Sequence, residues 1–195
     1  MSKSINPNVL GLCEVGGFCP WELFNLTENS FVVDLGAFRG DFSKYILDTY
    51  NCRVDAYEPS DVVTELSHPK LTWIQKPVFD GTYVLFERNL GPGGSIFTGE
   101  GYETESADIR EITKEHIDLM KVNIEGAELR VLGLADLSNV DQLIVEFHLF
   151  RTREQDKKFM QTEIDGVVER IMSFGYKMYQ IDNTSPAYMF YGKQV

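Results

Sequence analysis

The stretch VVDLGAFRGDFS, residues 32–43, decides how the chain folds. It begins apolar and β-branched, reaches an acid at Asp34, then places Gly36 and Gly40 four residues apart before a polar helix start. A short apolar, β-branched run closed by glycine reads as a buried strand, here FVVDLG at 31–36. From Gly40 to about Tyr50 the period becomes helical. Phe42, Tyr45, Ile46 and Thr49 share a face, and Asp41 places a negative charge where the helix dipole favours it.

Working outward, CRVDAYEPS (52–60) is a second strand ending at Glu58, with Pro59 as punctuation, and LTWIQ (71–75) is a third. Ser60 and Asp61 read as the cap of a short helix through Leu66. WELF at 21–24 starts another short helix, followed by a polar turn from Asn25 to Ser30. The βα rhythm then breaks. GTYVLFERN (81–89) and GGSIFTGE (93–100) read as two strands joined by the turn around Pro92, and ESADIREI (105–112) as a further extended piece. IDLMKVNIEG (117–126) is a strand with a polar end, and Ala127 to Leu134 a helix. DQLIVEFHLF (141–150) is a strand with Glu146 and His148 near its end.

The clearest helix runs from Asp156 to Phe174. Ile164, Val167, Val168, Ile171 and Met172 form its apolar stripe, and Gly175 stands at the C-terminal cap. YKMYQI (176–181) and AYMFYG (187–192) form a last antiparallel pair across a short turn. This order predicts an α/β sandwich, mostly parallel with an antiparallel edge. It predicts one domain over 1–195: an extension at 1–30, cofactor and catalytic motifs at 31–148, and a C-terminal helix and hairpin at 149–195.

The chain carries 18 basic and 30 acidic residues, a net charge of −12. That balance argues against a phosphate backbone or an anionic membrane surface as partner. No apolar run has the length of a membrane span and no export signal is evident, so the expected location is cytoplasmic. Cys13, Cys19 and Cys52 then read as reduced thiols. Their spacing does not build a zinc site, and no metal site is assigned: Glu125, Glu128 and Glu146 could hold a metal but lack a diagnostic spacing, so metal dependence stays open.

In an open α/β sheet, ligands bind beyond the carboxyl ends of the strands, where the opening stretch lies. Gly36 would let the backbone approach a ligand, and Gly40 would let the chain turn tightly into a helix whose N-terminal amides can receive a carboxylate. Asp34 bears on which ligand. A pyrophosphate is repelled by a carboxylate, whereas S-adenosylmethionine carries an ammonium and a sulfonium. The Gly36-Ala37-Phe38-Arg39-Gly40 spacing also departs from the dinucleotide fingerprint. Glu58 lies about 20 residues beyond Gly36 at the tip of the second strand, where an acid accepts ribose hydroxyls.

Four segments in order, VVDLGAFRGDFSKYI, VDAYEPS, DLMKVNIEGAELRVL and LIVEFH, together resemble the FkbM family of S-adenosylmethionine-dependent methyltransferases, over roughly residues 31–148. The resemblance implies a Rossmann-like class I methyltransferase sandwich, a seven-stranded sheet with an antiparallel last strand, and O-methylation of a sugar or another small hydroxylated acceptor. It places Asp34, Gly36, Ala37, Gly40, Glu58 and Pro59 at the cofactor, and the Lys76-Pro77-Val78 segment near the adenine. It sets the fourth strand's Lys-Val-Asn-Ile-Glu segment beside the transferable methyl. Here the chain departs from the common family form, which has Asp at the position of Asn123; an amide cannot be a general base.

His148 is the first candidate base, since an imidazole titrates near neutrality. Asn123 and Glu125 complete the catalytic candidates. Of Glu125 and Glu128, one is expected at a substrate hydroxyl and the other capping the following helix. Glu146 shares a strand face with His148 and could contact substrate or accept a buried hydrogen bond. His68 and His116 read as surface residues; Arg39, inside the cofactor turn, reads as pointing to solvent, with contact to an anionic substrate as the alternative. Two other functions fit parts of the pattern: a noncatalytic nucleoside-binding module, and an NAD(P)-dependent oxidoreductase, which the glycine spacing and Asp34 argue against.

Overall fold

The computed structural model describes residues 25–61, 66–87, 101–148, 154–180 and 187–191, with 154–160, 179–180 and 187–191 described by backbone alone. In chain order the elements are β1 (Phe31–Leu35), α1 (Asp41–Tyr50), β2 (Arg53–Tyr57), β3 (Leu71–Ile74), β4 (Val78–Phe79), β5 (Tyr83–Phe86), β6 (Tyr102–Glu105) and β7 (Ala107–Asp108). Then come α2 (Ile109–Ile112), β8 (Leu119–Val122), α3 (Glu128–Leu134), a 3₁₀ turn (Leu137–Asn139), β9 (Gln142–Glu146), α4 (Glu154–Ser173), β10 (Lys177–Gln180) and β11 (Ala187–Tyr191).

Strands β3, β2, β1, β8 and β9 lie side by side and parallel. The last two strands extend this core in the order β9-β11-β10, with β11 antiparallel to both neighbours. The strand order reverses between β1 and β8, so the crevice for a ligand falls at the carboxyl ends of those two strands. The central strands are uniformly apolar because both sheet faces are covered. Val33, Leu35, Met120, Val122, Leu143 and Val145 pack on one side with Val131 and Leu132 of α3 and Ile164 and Ile171 of α4. Val32, Leu119 and Ile144 pack on the other with Phe42, Ile46 and Leu47 of α1. Arg170 of α4 donates to the carbonyls of Leu132 and Ala135, both at 2.8 Å, and so closes the end of α3.

Three sequence expectations change. Residues 109–112 are a helical turn rather than extended: Asp108 accepts from the Arg110 amide, an N-cap that starts the turn. The strand that pairs with β5 is β6 at 102–105, while the expected partner at 93–100 lies outside the described residues, as do WELF, the turn around Pro92, Cys13 and Cys19. Most of the helix expected up to Leu66 lies outside them too. Met172 is 38% exposed. It sits about 80° around the helix from Ile164, at the outer edge of the apolar stripe. Cys52 is buried, and burial raises its thiol pKa to about 11, which makes it unreactive. Among the described residues, no helix is long and apolar enough to cross a membrane.

Candidate active site

The tips of β1, β2, β8 and β9 bring the sequence-flagged residues to one edge of the sheet. At β1 the chain turns through Gly36, whose amide and that of Ala37 both donate to the Tyr57 carbonyl, at 2.9 and 3.0 Å. Gly36 has φ +80, and a Cβ there would lie 1.7 Å from the Asn123 carbonyl oxygen. The neighbouring strand end by itself therefore requires glycine at this position. Gly40, at φ +84, is the left-handed cap from which α1 departs, as its place before the helix predicted.

Asp34 has a different partner from the one inferred. It is fully buried, and Lys121, directly opposite it on β8, donates to Oδ1 at 2.9 Å while Ser43 of α1 donates to Oδ2 at 2.7 Å. Lys121 also donates to the Gly36 carbonyl at 3.0 Å. This pair locks the turn from beneath and presents no carboxylate to a ligand. Lys121 was missed, although a lone lysine and a lone acid in two buried strands are a signal of such a pair.

Glu58 ends β2 as expected and is nearly buried. It accepts from the Phe38 amide at 2.8 Å and the Ser60 amide at 2.9 Å, so it ties the first turn to the second. Phe38, within this turn, has an unusual φ of +50. The Pro59 carbonyl accepts from Tyr102 of β6 at 3.0 Å, which fastens the β5–β6 ribbon beside the same turn. An ion pair between Lys76 and Glu105 fastens it again. Ala37 and Val78 are buried, and Val78 packs into the core.

At the tip of β8, Asn123 donates to Glu146 of β9 at 3.0 Å. Its amide is thus engaged by a neighbouring carboxylate. The next residues turn with two successive positive φ values, Glu125 at +52 and Gly126 at +103. Glu128 holds that turn: it is 1% exposed and accepts from the Ile124 amide at 3.0 Å and the Gly126 amide at 3.0 and 3.2 Å. Of the two acids left open by the sequence, Glu128 is thus the buried one; it braces the turn before α3 from the helix's first position and does not cap the helix. His148, just past β9, bonds Glu128 Oε1 through Nδ1 at 2.9 Å, and its Nε2 is 3.6 Å from Glu125 Oε1. His68 and His116 lie away from this edge; His116 pairs with Asp141. Arg39 is exposed, its guanidinium over the Phe38 ring.

The family model for the Methyltransferase FkbM domain matches residues 78–178, more than half of the chain. The chain belongs to the FkbM methyltransferase family. The match takes in β8, α3, β9 and α4, with Asn123, Glu125, Glu128, Glu146 and His148, and begins beyond the Gly36–Gly40 turn. No curated protein sequence matches the chain. Among solved structures it is similar to an rRNA methylase from Streptococcus thermophilus (12% identity over 87% of this chain and 90% of that one, TM-score 0.42). It is also similar to a precorrin-6y C5,15-methyltransferase from Geobacter metallireducens (12%, 87% and 83%, TM-score 0.46). A third is human N-acetylserotonin methyltransferase, solved in complex with SAM (11%, 89% and 50%, TM-score 0.43). These likenesses concern the fold alone.

The electrostatics of this edge follow from its carboxylates. Burial pushes the Glu125 carboxyl up; His148 opposes that, and the charges of Glu128, Glu146 and Glu58 add to it. Burial pulls the His148 pKa down, but the hydrogen bond to Glu128 and the charges of Glu128, Glu125 and Glu146 outweigh it, so the imidazole titrates above 6.5. Because the folded value is raised, the His148 imidazolium adds stability that is fully present below pH 6.5 and is lost as pH rises through the folded pKa. Among the described residues, no group of three His, Cys, Asp or Glu side chains is placed to hold a metal ion.

Asn123 keeps two strand tips from facing each other as like charges. Asn123→Asp would set a carboxylate against Glu146 where the amide donates now. One of the two would then hold a proton to higher pH. The variant should lose about 1–3 kcal/mol, and more at pH 8 than at pH 5, since the raised folded pKa makes stability fall as pH rises through it. Urea unfolding at the two pH values measures this; equal losses at both would remove the charge account.

Proposed function

We propose that the chain is an S-adenosylmethionine-dependent methyltransferase that O-methylates a sugar or another small hydroxylated molecule. The observation that carries this reading is the acid-lined strand edge in which Glu128 holds His148 beside Glu125. The donor set fits the cofactor: Glu58, Glu125 and Glu146 supply the negative field that a sulfonium and an ammonium require, in place of the role first given to Asp34. When bound, the cofactor supplies an electrophilic methyl group. Glu58 would accept from its ribose, and the amides at the start of α1 would face its carboxylate.

The chain's own chemistry is to position the acceptor hydroxyl and take its proton. With the Nδ1 proton directed at Glu128, the imidazole lone pair lies on Nε2, the atom that would accept that proton. The resulting imidazolium is stabilised by the same carboxylates that raise its pKa. Alignment of the two reactants supplies about 7–11 kcal/mol in well-oriented systems. A field of glutamates beside a single histidine also suits a neutral polyhydroxylated acceptor better than a phosphate backbone.

Calorimetric titration with S-adenosylhomocysteine, with NAD as control, tests the cofactor. The wild type should bind at micromolar affinity, and Glu58→Ala should weaken binding tenfold or more, about 1.4 kcal/mol. A folded wild type that does not bind would sink the methyltransferase reading. Incubation with S-adenosylmethionine and a panel of saccharides, read by mass spectrometry, tests the acceptor class.

A further inference from the structure

We infer that Glu128 is the positioning residue of the proton-transfer step, fixing at once the tautomer of His148 and the place of Glu125. The inference rests on His148 being the base proposed above. A carboxylate buried to 1% exposure is kept in few proteins without a task, and the contacts of Glu128 divide into two sets. One set is backbone: the Ile124 and Gly126 amides on either side of Glu125, which hold that residue in its left-handed conformation. The other set is His148, through Nδ1 at 2.9 Å and more weakly through its amide at 3.5 Å. A single side chain therefore joins the tip of β8 to the tip of β9, and both groups that flank the acceptor's position are set by it.

The chemistry that follows is specific. An imidazole whose Nδ1–H is held by a carboxylate presents its lone pair at Nε2, the nitrogen that faces Glu125. The opposite tautomer would turn an N–H toward the acceptor and could not accept its proton. Among the described residues, the charged groups that bear on this imidazole include Glu128 from α3, Glu125 from the β8–α3 turn and Glu146 from β9. Of these three, Glu128 is the one bonded to Nδ1, at 2.9 Å.

Nuclear magnetic resonance of the His148 ring in the full chain tests this without turnover. In the wild type, ¹⁵N shifts above the pKa should report the Nδ1–H tautomer. Glu128→Gln should lower the His148 pKa by about one pH unit and move the acid limb of the kcat/KM profile by the same amount, a change that a merely structural brace would not produce. A wild type in the Nε2–H form overturns the inference, as does a folded Glu128→Gln variant with an unmoved pKa. Should Glu128→Gln fail to fold, the wild-type tautomer alone decides. Titration of the same sample with S-adenosylhomocysteine separates the two levels: binding with the wrong tautomer overturns Glu128 and keeps the methyltransferase, while the right tautomer without binding does the reverse.

Discussion

Replacing Lys121 with methionine should destabilise the protein by about 3–5 kcal/mol and lower its melting temperature by roughly 6–20 °C. Lys121 and Asp34 are 5% and 0% exposed, opposite each other on adjacent parallel strands, with the Lys121 ammonium bonded to both the carboxylate and the Gly36 carbonyl. Methionine has nearly the same length and packs well, so the change isolates the charge. It leaves the Asp34 carboxylate buried with only the Ser43 hydroxyl. The double variant Lys121→Met with Asp34→Asn should recover much of the loss, because a buried pair is expensive to break and cheap to remove as a unit. Urea unfolding of the four proteins of this cycle is the measurement. A loss below about 1 kcal/mol in the single variant would place the pair among ordinary surface contacts.

His148→Gln should lower kcat by 10²- to 10⁴-fold, the range for loss of a general base. Affinity for S-adenosylhomocysteine should persist, since Glu58 and the amides at the start of α1, which would receive its ribose and its carboxylate, lie on other elements than His148. The pH profile gives the sharper result. Because His148 titrates above 6.5, kcat/KM of the wild type should fall on the acid side with a limb above that value, and the limb should vanish in the variant. A variant that keeps both the rate and the limb would assign proton removal elsewhere, with Glu125 next in line by position.

Much of the fold was legible because it rests on local period. The runs at 31–36, 71–75 and 141–150 are short and β-branched, and the stripe from Ile164 to Ile171 is helical. Strand, turn, helix and acid at Asp34, Gly36, Gly40 and Glu58 fell in the order that the structure shows. What was not legible is what these residues touch. Asp34 and Lys121 lie 87 positions apart and meet only through strand register, which no local pattern encodes. The Asn123 carbonyl that lies against Gly36 comes from the end of a strand that follows much later in the chain, so the sequence did not show this reason for the glycine. Glu125 and Glu128 could not be told apart because their difference is one of burial and backbone conformation, set where β8 and β9 end together. The ribbon of β5 and β6 was half legible. Its first strand follows an alternating pattern, but its partner is the polar run Tyr102–Glu105, which has no apolar stripe to announce it.

The placement of β11 between β9 and β10 has a consequence for a chain that emerges from the ribosome in order. β10 is synthesised first, yet among the described residues its one partner in the sheet is β11. Until residues 187–191 are made and drawn in beside β9, β10 has no strand to join, and β9 keeps an open flank of backbone donors and acceptors. The five parallel strands can assemble as they appear; the last two must arrive as a hairpin, later strand innermost. A ribosome stalled before β11 would therefore display the whole candidate active site on a sheet with one side still unsealed.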